Sequence, residues 1–191
     1  GKVLTINPSS NLDGLSNYAI QIAATAIDDS SGNSYAGITD NTTLNFTTAD
    51  ASPPVFENST PSISGIQGKA FTLNTDIDEG GTIFYVVVAD GATAPTATEV
   101  IAGTGSGGSG QVATGNATVS SGGFVNNFSV TGLANSTNYD VYVVARDDES
   151  TPNIQTTPTK VDALTKSPPI ISNAVANQNV NDNNTINPFS S

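Results

Sequence analysis

The chain has 191 residues, 17 of them acidic and 5 basic, a net charge of −12, and no His, Cys, Met or Trp. Without His or Cys there can be no His-based triad, no thiol nucleophile, no disulfide frame and no imidazole or thiolate zinc site. The charge argues against nucleic acid or an anionic membrane as partner, and a carboxylate-pair glycosidase would need an aromatic-lined groove that is hard to build without Trp.

The abundance of Thr, Ser, Asn, Gly, Val and Ala points to strands and turns, and no segment carries the helical apolar period of a βαβ crossover. No apolar run approaches the roughly 20 residues of a membrane span. With no opening Met and no visible leader, the chain reads as an excised piece of something longer.

Residues 1–52 read as one unit. Val3-Leu4-Thr5-Ile6 predicts a short strand closed by Asn7-Pro8. Tyr18-Ala19-Ile20-Gln21-Ile22 predicts a second, with Tyr18, Ile20 and Ile22 on one face. An acidic turn follows at Asp28-Asp29-Ser30-Ser31-Gly32-Asn33, and Thr43 to Thr48 closes the unit. The run Asp28-Asp29 … Gly32-Asn33-Ser34-Tyr35-Ala36-Gly37, followed by Phe46-Thr47-Thr48, resembles the second half of a bacterial Ig-like domain of the S-layer type. About 50 residues bury little core alone. The unit is therefore expected to borrow structure from a neighbouring chain, from the C-terminal tail, or from sequence outside this piece.

Ala51-Ser52-Pro53-Pro54 is a linker, because two prolines stiffen the chain and cannot continue a central strand. Residues 53–166 form the second unit, with strands expected at Phe71–Thr75, Thr82–Val88, Asn127–Thr131, Tyr139–Ala145 and Thr159–Leu164. Pro95-Thr96-Ala97-Thr98-Glu99-Val100 predicts a short helix, and the Gly-rich run from Gly103 to Gly110 a flexible surface loop with no phosphate-loop pattern. Arg146 is expected to pair with a nearby carboxylate.

The most informative spacing is Leu133-Ala134-Asn135-Ser136-Thr137-Asn138-Tyr139, with an alternating strand on either side. A Tyr six residues after the Leu can fold its hydroxyl back onto the turn while its ring caps the core, as in a tyrosine corner. This stretch resembles the corner of a fibronectin type III domain, and the helix motif resembles bacterial members in which such a helix replaces an edge strand. The resemblance implies two sheets packed face to face.

Lys166-Ser167-Pro168-Pro169 repeats the Pro-Pro punctuation about 115 residues after the first. The sequence Ile170-Ile171-Ser172-Asn173 … Asn177-Gln178-Asn179-Val180 resembles the opening of a cadherin-like module, so residues 167–191 read as a linker and a first strand. The fold class expected throughout is all-β: tandem Ig-like and fibronectin type III-like sandwiches joined by Pro-Pro linkers.

Function is read as a non-catalytic spacer of a large secreted or cell-surface bacterial protein, adhesin-like, whose partners are the neighbouring domains of its own polypeptide. Two other readings stay open. One is an accessory module of a secreted hydrolase that contacts polysaccharide or protein, although Tyr35, Tyr85, Tyr139 and Tyr142 fall mostly where a core needs them. The other is strand exchange between chains through the incomplete first unit.

The candidate site is acidic. In the resembling fold Asp76, Asp78 and Glu79 share one pole with Asp147, Asp148 and Glu149, and Asp50 should lie beside them. Calcium takes six to eight oxygens and would relieve their repulsion. The plainer alternative is that these are polar turn residues. Asp28, Asp29, Asn33 and Asp40 form a second, weaker calcium candidate that departs from the EF-hand pattern, because a Thr stands where the twelfth-position Glu belongs.

Overall fold

A computed structural model describes residues 3–120 and 123–169. Its centre is the antiparallel pair of β5 (Gly81–Ala89) and β8 (Asn138–Asp147), aligned from Gly81 opposite Asp147 to Ala89 opposite Tyr139. Both strands are nearly continuous apolar runs rather than alternating ones, and both are buried along almost their whole length. That pattern requires cover on both faces of the sheet.

One face is covered by a second sheet. Strands β3 (Ser62–Ser64), β4 (Phe71–Asp76) and β7 (Val125–Val130) form a three-stranded sheet in that order. β4 alternates buried and half-buried residues, so Phe71, Leu73 and Thr75 point inward. They meet Ile83, Tyr85 and Val87 of β5 and Val141 and Val143 of β8 in one core, with Val130 and Leu133. The four-stranded sheet runs β6 (Gln111–Val119), β5, β8, β9 (Thr159–Leu164). Residues 54–166 are thus a β-sandwich, as the composition and the alternating strands imply.

The opposite face of the four-stranded sheet carries a smaller core. Phe84, Val86, Val88, Tyr142 and Val144 pack under Ala97, Val100 and Ile101 of helix α1 (Ala97–Ile101). Thr96 accepts the amide of Glu99, and the Glu99 carboxylate accepts the amide of Thr96, a reciprocal cap that lets so short a helix form.

Two expectations are corrected here. The helix does not replace the edge strand: β6 follows it and pairs along β5 from Gly81 opposite Val119 to Val88 opposite Gln111. Gly115 sits in the middle of β6, where a Cβ would come 2.7 Å from the Tyr85 ring, so the core aromatic of one strand requires a glycine in the next. Arg146 forms no ion pair among the described residues. Its guanidinium lies 5.3 Å from the centre of the Phe84 ring, a cation–π contact. The recorded ion pairs are of Lys160 with buried Asp140 and with exposed Asp162, 3.0 Å each.

Residues 3–50 contain one hairpin, β1 (Asn17–Ala19) with β2 (Asn45–Thr47), in which Tyr18 lies opposite Phe46. Ile20 donates to the Leu44 carbonyl and Ile22 bridges Ile38, which extends the pairing. Tyr18, Ile20 and Ile22 are half-buried while Asn17, Ala19 and Gln21 are exposed, the alternation expected of them. Residues 3–6 do not form the expected strand, and Val3 is 88% exposed. No residue of 3–50 is fully buried. The segment from 170 onward, read as the start of a further module, lies outside the described residues.

The two units share a corner. In the sandwich, Ala134 donates its amide to the Tyr139 hydroxyl at 2.9 Å, and Thr165 Oγ1 donates to the carbonyl of Ala134. The Thr137 amide donates to Thr165 Oγ1 and the Thr165 amide to the Thr137 carbonyl. In the first unit Asp13 donates to the Tyr18 hydroxyl at 2.9 Å, and Thr48 Oγ1 donates to the Asp13 carbonyl. The Ser16 amide donates to Thr48 Oγ1 and the Thr48 amide to the Ser16 carbonyl. Each corner also holds a non-glycine residue of positive φ three places before its Tyr, Leu15 at 51° and Ser136 at 51°. β1 and β2 therefore correspond to β8 and β9.

Candidate functional site

The loop after β4 and the loop after β8 come together at one pole of the sandwich, where residues 50–55 join. Pro54 is buried, and the linker is tied down rather than free. Asp78 Oδ1 accepts the Val55 amide at 2.7 Å. Gln155 Nε2 donates to the Pro54 carbonyl at 2.7 Å, and its Oε1 accepts the Ala145 amide at 2.9 Å. Asn153 Nδ2 donates to Asp147 Oδ2 at 2.7 Å and to the Asp50 carbonyl at 3.4 Å, while the Asn153 amide donates to Asp147 Oδ1 at 2.9 Å. Asp147, 2% exposed, thus has both carboxylate oxygens occupied by one asparagine.

Glu79 stands where this arrangement leaves negative charge uncompensated. Partial burial pushes its carboxyl up to about 7. Further causes are the charge of Asp50, a side-chain hydrogen bond shared with it, and the charges of Asp78 and Asp147. Asp50, at the end of the first unit, and Glu79, in the β4–β5 loop of the second, therefore oppose each other's ionisation.

Of the seven acids expected at this pole, Asp50, Asp78, Glu79 and Asp147 form the group around Glu79. Asp148 lies beside Gly80, its Oδ2 3.3 Å from where a Cβ would stand. Asp76 turns to Asn58, whose Nδ2 donates to it at 2.6 Å. Glu149 is exposed in the loop. Among the described residues no group of three or more acidic side chains is arranged to hold a metal ion. Asn153 and Gln155, the donors that fasten the linker, carry no sequence signal of that role, since an amide in a loop is common.

The second acidic set divides into separate turns. Asp29 accepts the side-chain and main-chain amides of Asn33 and the Ser31 amide, and these bonds hold its carboxyl below the usual range. Asp28 accepts the Ser34 hydroxyl. Asp40 accepts the hydroxyls and amides of Thr42 and Thr43, which lower its pKa further. Each carboxylate caps its own turn. Tyr85, Tyr139 and Tyr142 are buried, whereas Tyr35 is exposed, which corrects its expected place in a core.

Residues 1–48 match a family described as a bacterial Ig-like domain. No curated protein matches the chain. Among solved structures the chain is similar to domains d3–d4 of the extracellular region of rat CD45. That alignment is 15% identical, covers 85% of this chain and 70% of that one, and has a TM-score of 0.43.

Proposed function

We propose that this chain is a non-catalytic spacer from the extracellular part of a large secreted or cell-surface bacterial protein, adhesin-like, which extends and orients the domains on either side. The observation that carries the reading is the fastened linker. A flexible tether would leave residues 50–55 free, whereas Asp78, Asn153 and Gln155 hold them against the sandwich. The strand order β3-β4-β7 over β6-β5-β8-β9 and the Tyr139 corner support a fibronectin type III-like identity for residues 53–166. The bacterial Ig-like match over residues 1–48 supports a chain of such modules.

Small-angle scattering tests the spacer. The expected outcome is one extended particle whose maximum dimension is set by two units in fixed line. Asn153→Ala combined with Gln155→Ala should broaden the distribution of dimensions without unfolding the sandwich. Equal breadth in both proteins overturns the proposal of a stiff junction.

Calcium is the second stiffening agent proposed for this junction, and the crowding of Asp50, Asp78, Glu79 and Asp147 supports it. Calcium would offset the repulsion that raises the Glu79 carboxyl. Millimolar calcium should then raise the unfolding midpoint most at a pH where Glu79 is ionised, and the rise should vanish in Glu79→Gln. An unchanged midpoint at every pH removes calcium from the account.

A further inference from the structure

The edge strands of the sandwich are not equally guarded. An unpaired edge is open to any extended strand unless charge, proline or short length closes it. β3 has three residues, and β9 carries Lys160 and Asp162. β7 has six residues. β6 is the longest, with nine residues and neither charge nor proline, in a chain of net charge −12. Among the described residues nothing pairs with its second edge. Val87 lies opposite Ala113 and Val88 opposite Gln111, so Val112 is a bulge and the regular edge is residues 113–119. Within it Thr114, Asn116 and Thr118 form an exposed outer row, while Ala113, Gly115 and Ala117 turn inward. Read in either direction, the outer row is Thr, Asn, Thr.

We propose that β6 is a homophilic docking edge: β6 of a second copy adds to it antiparallel across a two-fold axis at Asn116, and two four-stranded sheets become one of eight strands. A two-fold axis normal to the sheet keeps each face on its own side, so it must set one residue opposite itself. The axis at Asn116 pairs all seven regular residues, which an axis at any other residue does not. Thr114 of each copy then faces Thr118 of the other, a favourable cross-strand pair, and the two Asn116 amides meet. An amide both donates and accepts, so this central pair complements itself. Charge favours the same occupant, because two copies of charge −12 repel elsewhere and this edge is neutral. A partner of different sequence would need no palindrome. The axis also reverses chain direction. The chain enters the sandwich at the Asp50 pole and leaves past Lys166 at the other, so the paired copies run antiparallel. On the spacer reading, copies anchored in one surface run the same way, and the contact joins molecules from facing surfaces. A pairing of this length is a small interface, so single contacts are weak and many act together.

The test is sedimentation equilibrium of the full chain from low to high micromolar concentration, at low and at high salt. The expected result is a twofold rise in mass with concentration, favoured by salt as repulsion is screened. Asn116→Lys sets two like charges together at the axis and should abolish the rise, whereas Thr159→Lys, the same charge change on the edge of β9, should leave it. Both positions are exposed, so each variant should keep the parent's circular dichroism. Disulfide trapping in a glutathione buffer reads the register, since the chain has no cysteine of its own. Opposed residues of an antiparallel pair have Cα atoms about 4.5–5.5 Å apart, within disulfide reach, so Asn116→Cys should link to itself. Thr118→Cys should not, because its twin lies four residues, about 14 Å, along the strand. A mixture of Thr114→Cys and Thr118→Cys should link. A monomer at every concentration, a dimer that survives Asn116→Lys, or equal linking by Asn116→Cys and Thr118→Cys overturns the proposal. None of these results touches the spacer reading, which stands or falls on the junction.

Discussion

The Tyr139 hydroxyl accepts one backbone amide, that of Ala134, from a ring that is itself buried. Tyr139→Phe keeps the ring and strands the amide, so a loss of about 1–3 kcal/mol in urea unfolding is expected. Tyr18→Phe should cost less, because water reaches the equivalent amide of Asp13 at an exposed corner. Glu79 gives a prediction of opposite kind. Its folded pKa of about 7 lies above the ordinary 4.5. The folded chain therefore binds more protons between those values, and the resulting stability is complete below 4.5 and lost as pH rises through 7. The unfolding midpoint should fall between about pH 5 and about pH 8, by less than the full shift implies because Glu79 is half-exposed. Glu79→Gln should flatten the fall in scanning calorimetry, and an identical slope in both proteins would contradict the assignment. Both residues were legible in the sequence, Tyr139 from its distance to Leu133 and Glu79 from the sharing of one pole by two loops. Arg146 was not. A cation beside many acids suggests an ion pair, and only the fold shows that Phe84 lies beneath it.

At the scale of elements, β6 is the strand that the pattern concealed. Of its inward positions, Ala113, Gly115, Ala117 and Val119, the first three are small, and at Gly115 the Tyr85 ring fills the space that a side chain would otherwise occupy. A strand whose partner supplies the bulk shows no apolar alternation of its own, and a central glycine adds a turn signal that misleads. Gly115→Val should therefore destabilise the sandwich by about 1–3 kcal/mol through overpacking, although Val suits a strand better than Gly. If equilibrium unfolding shows a gain instead, Tyr85 has room to move. Strands β5 and β8 were plain for the converse reason. The two cores they serve make them apolar on both faces, and long apolar runs are hard to mistake. Residues 3–6 read as a strand because they are apolar, but without a neighbouring strand apolar residues do not make one.

Across the whole molecule, the sandwich class followed from composition and alternation, and the position of the acidic pole followed from strand direction. What the sequence could not reveal was that the linker is fastened, since each fastening bond joins residues about a hundred positions apart or crosses between loops. The direction of the chain through the sandwich has a mechanical consequence. It enters at the pole of Asp50 and leaves past Lys166 at the opposite pole, where the Lys166 carbonyl accepts the Ser136 amide. Tension on the two ends therefore pulls β3 and β9 lengthwise against β4 and β8. Their ladder bonds must slide and break together, whereas ends at the same pole would let them peel apart one at a time. A module threaded in this way resists stretching along the line that joins its two ends.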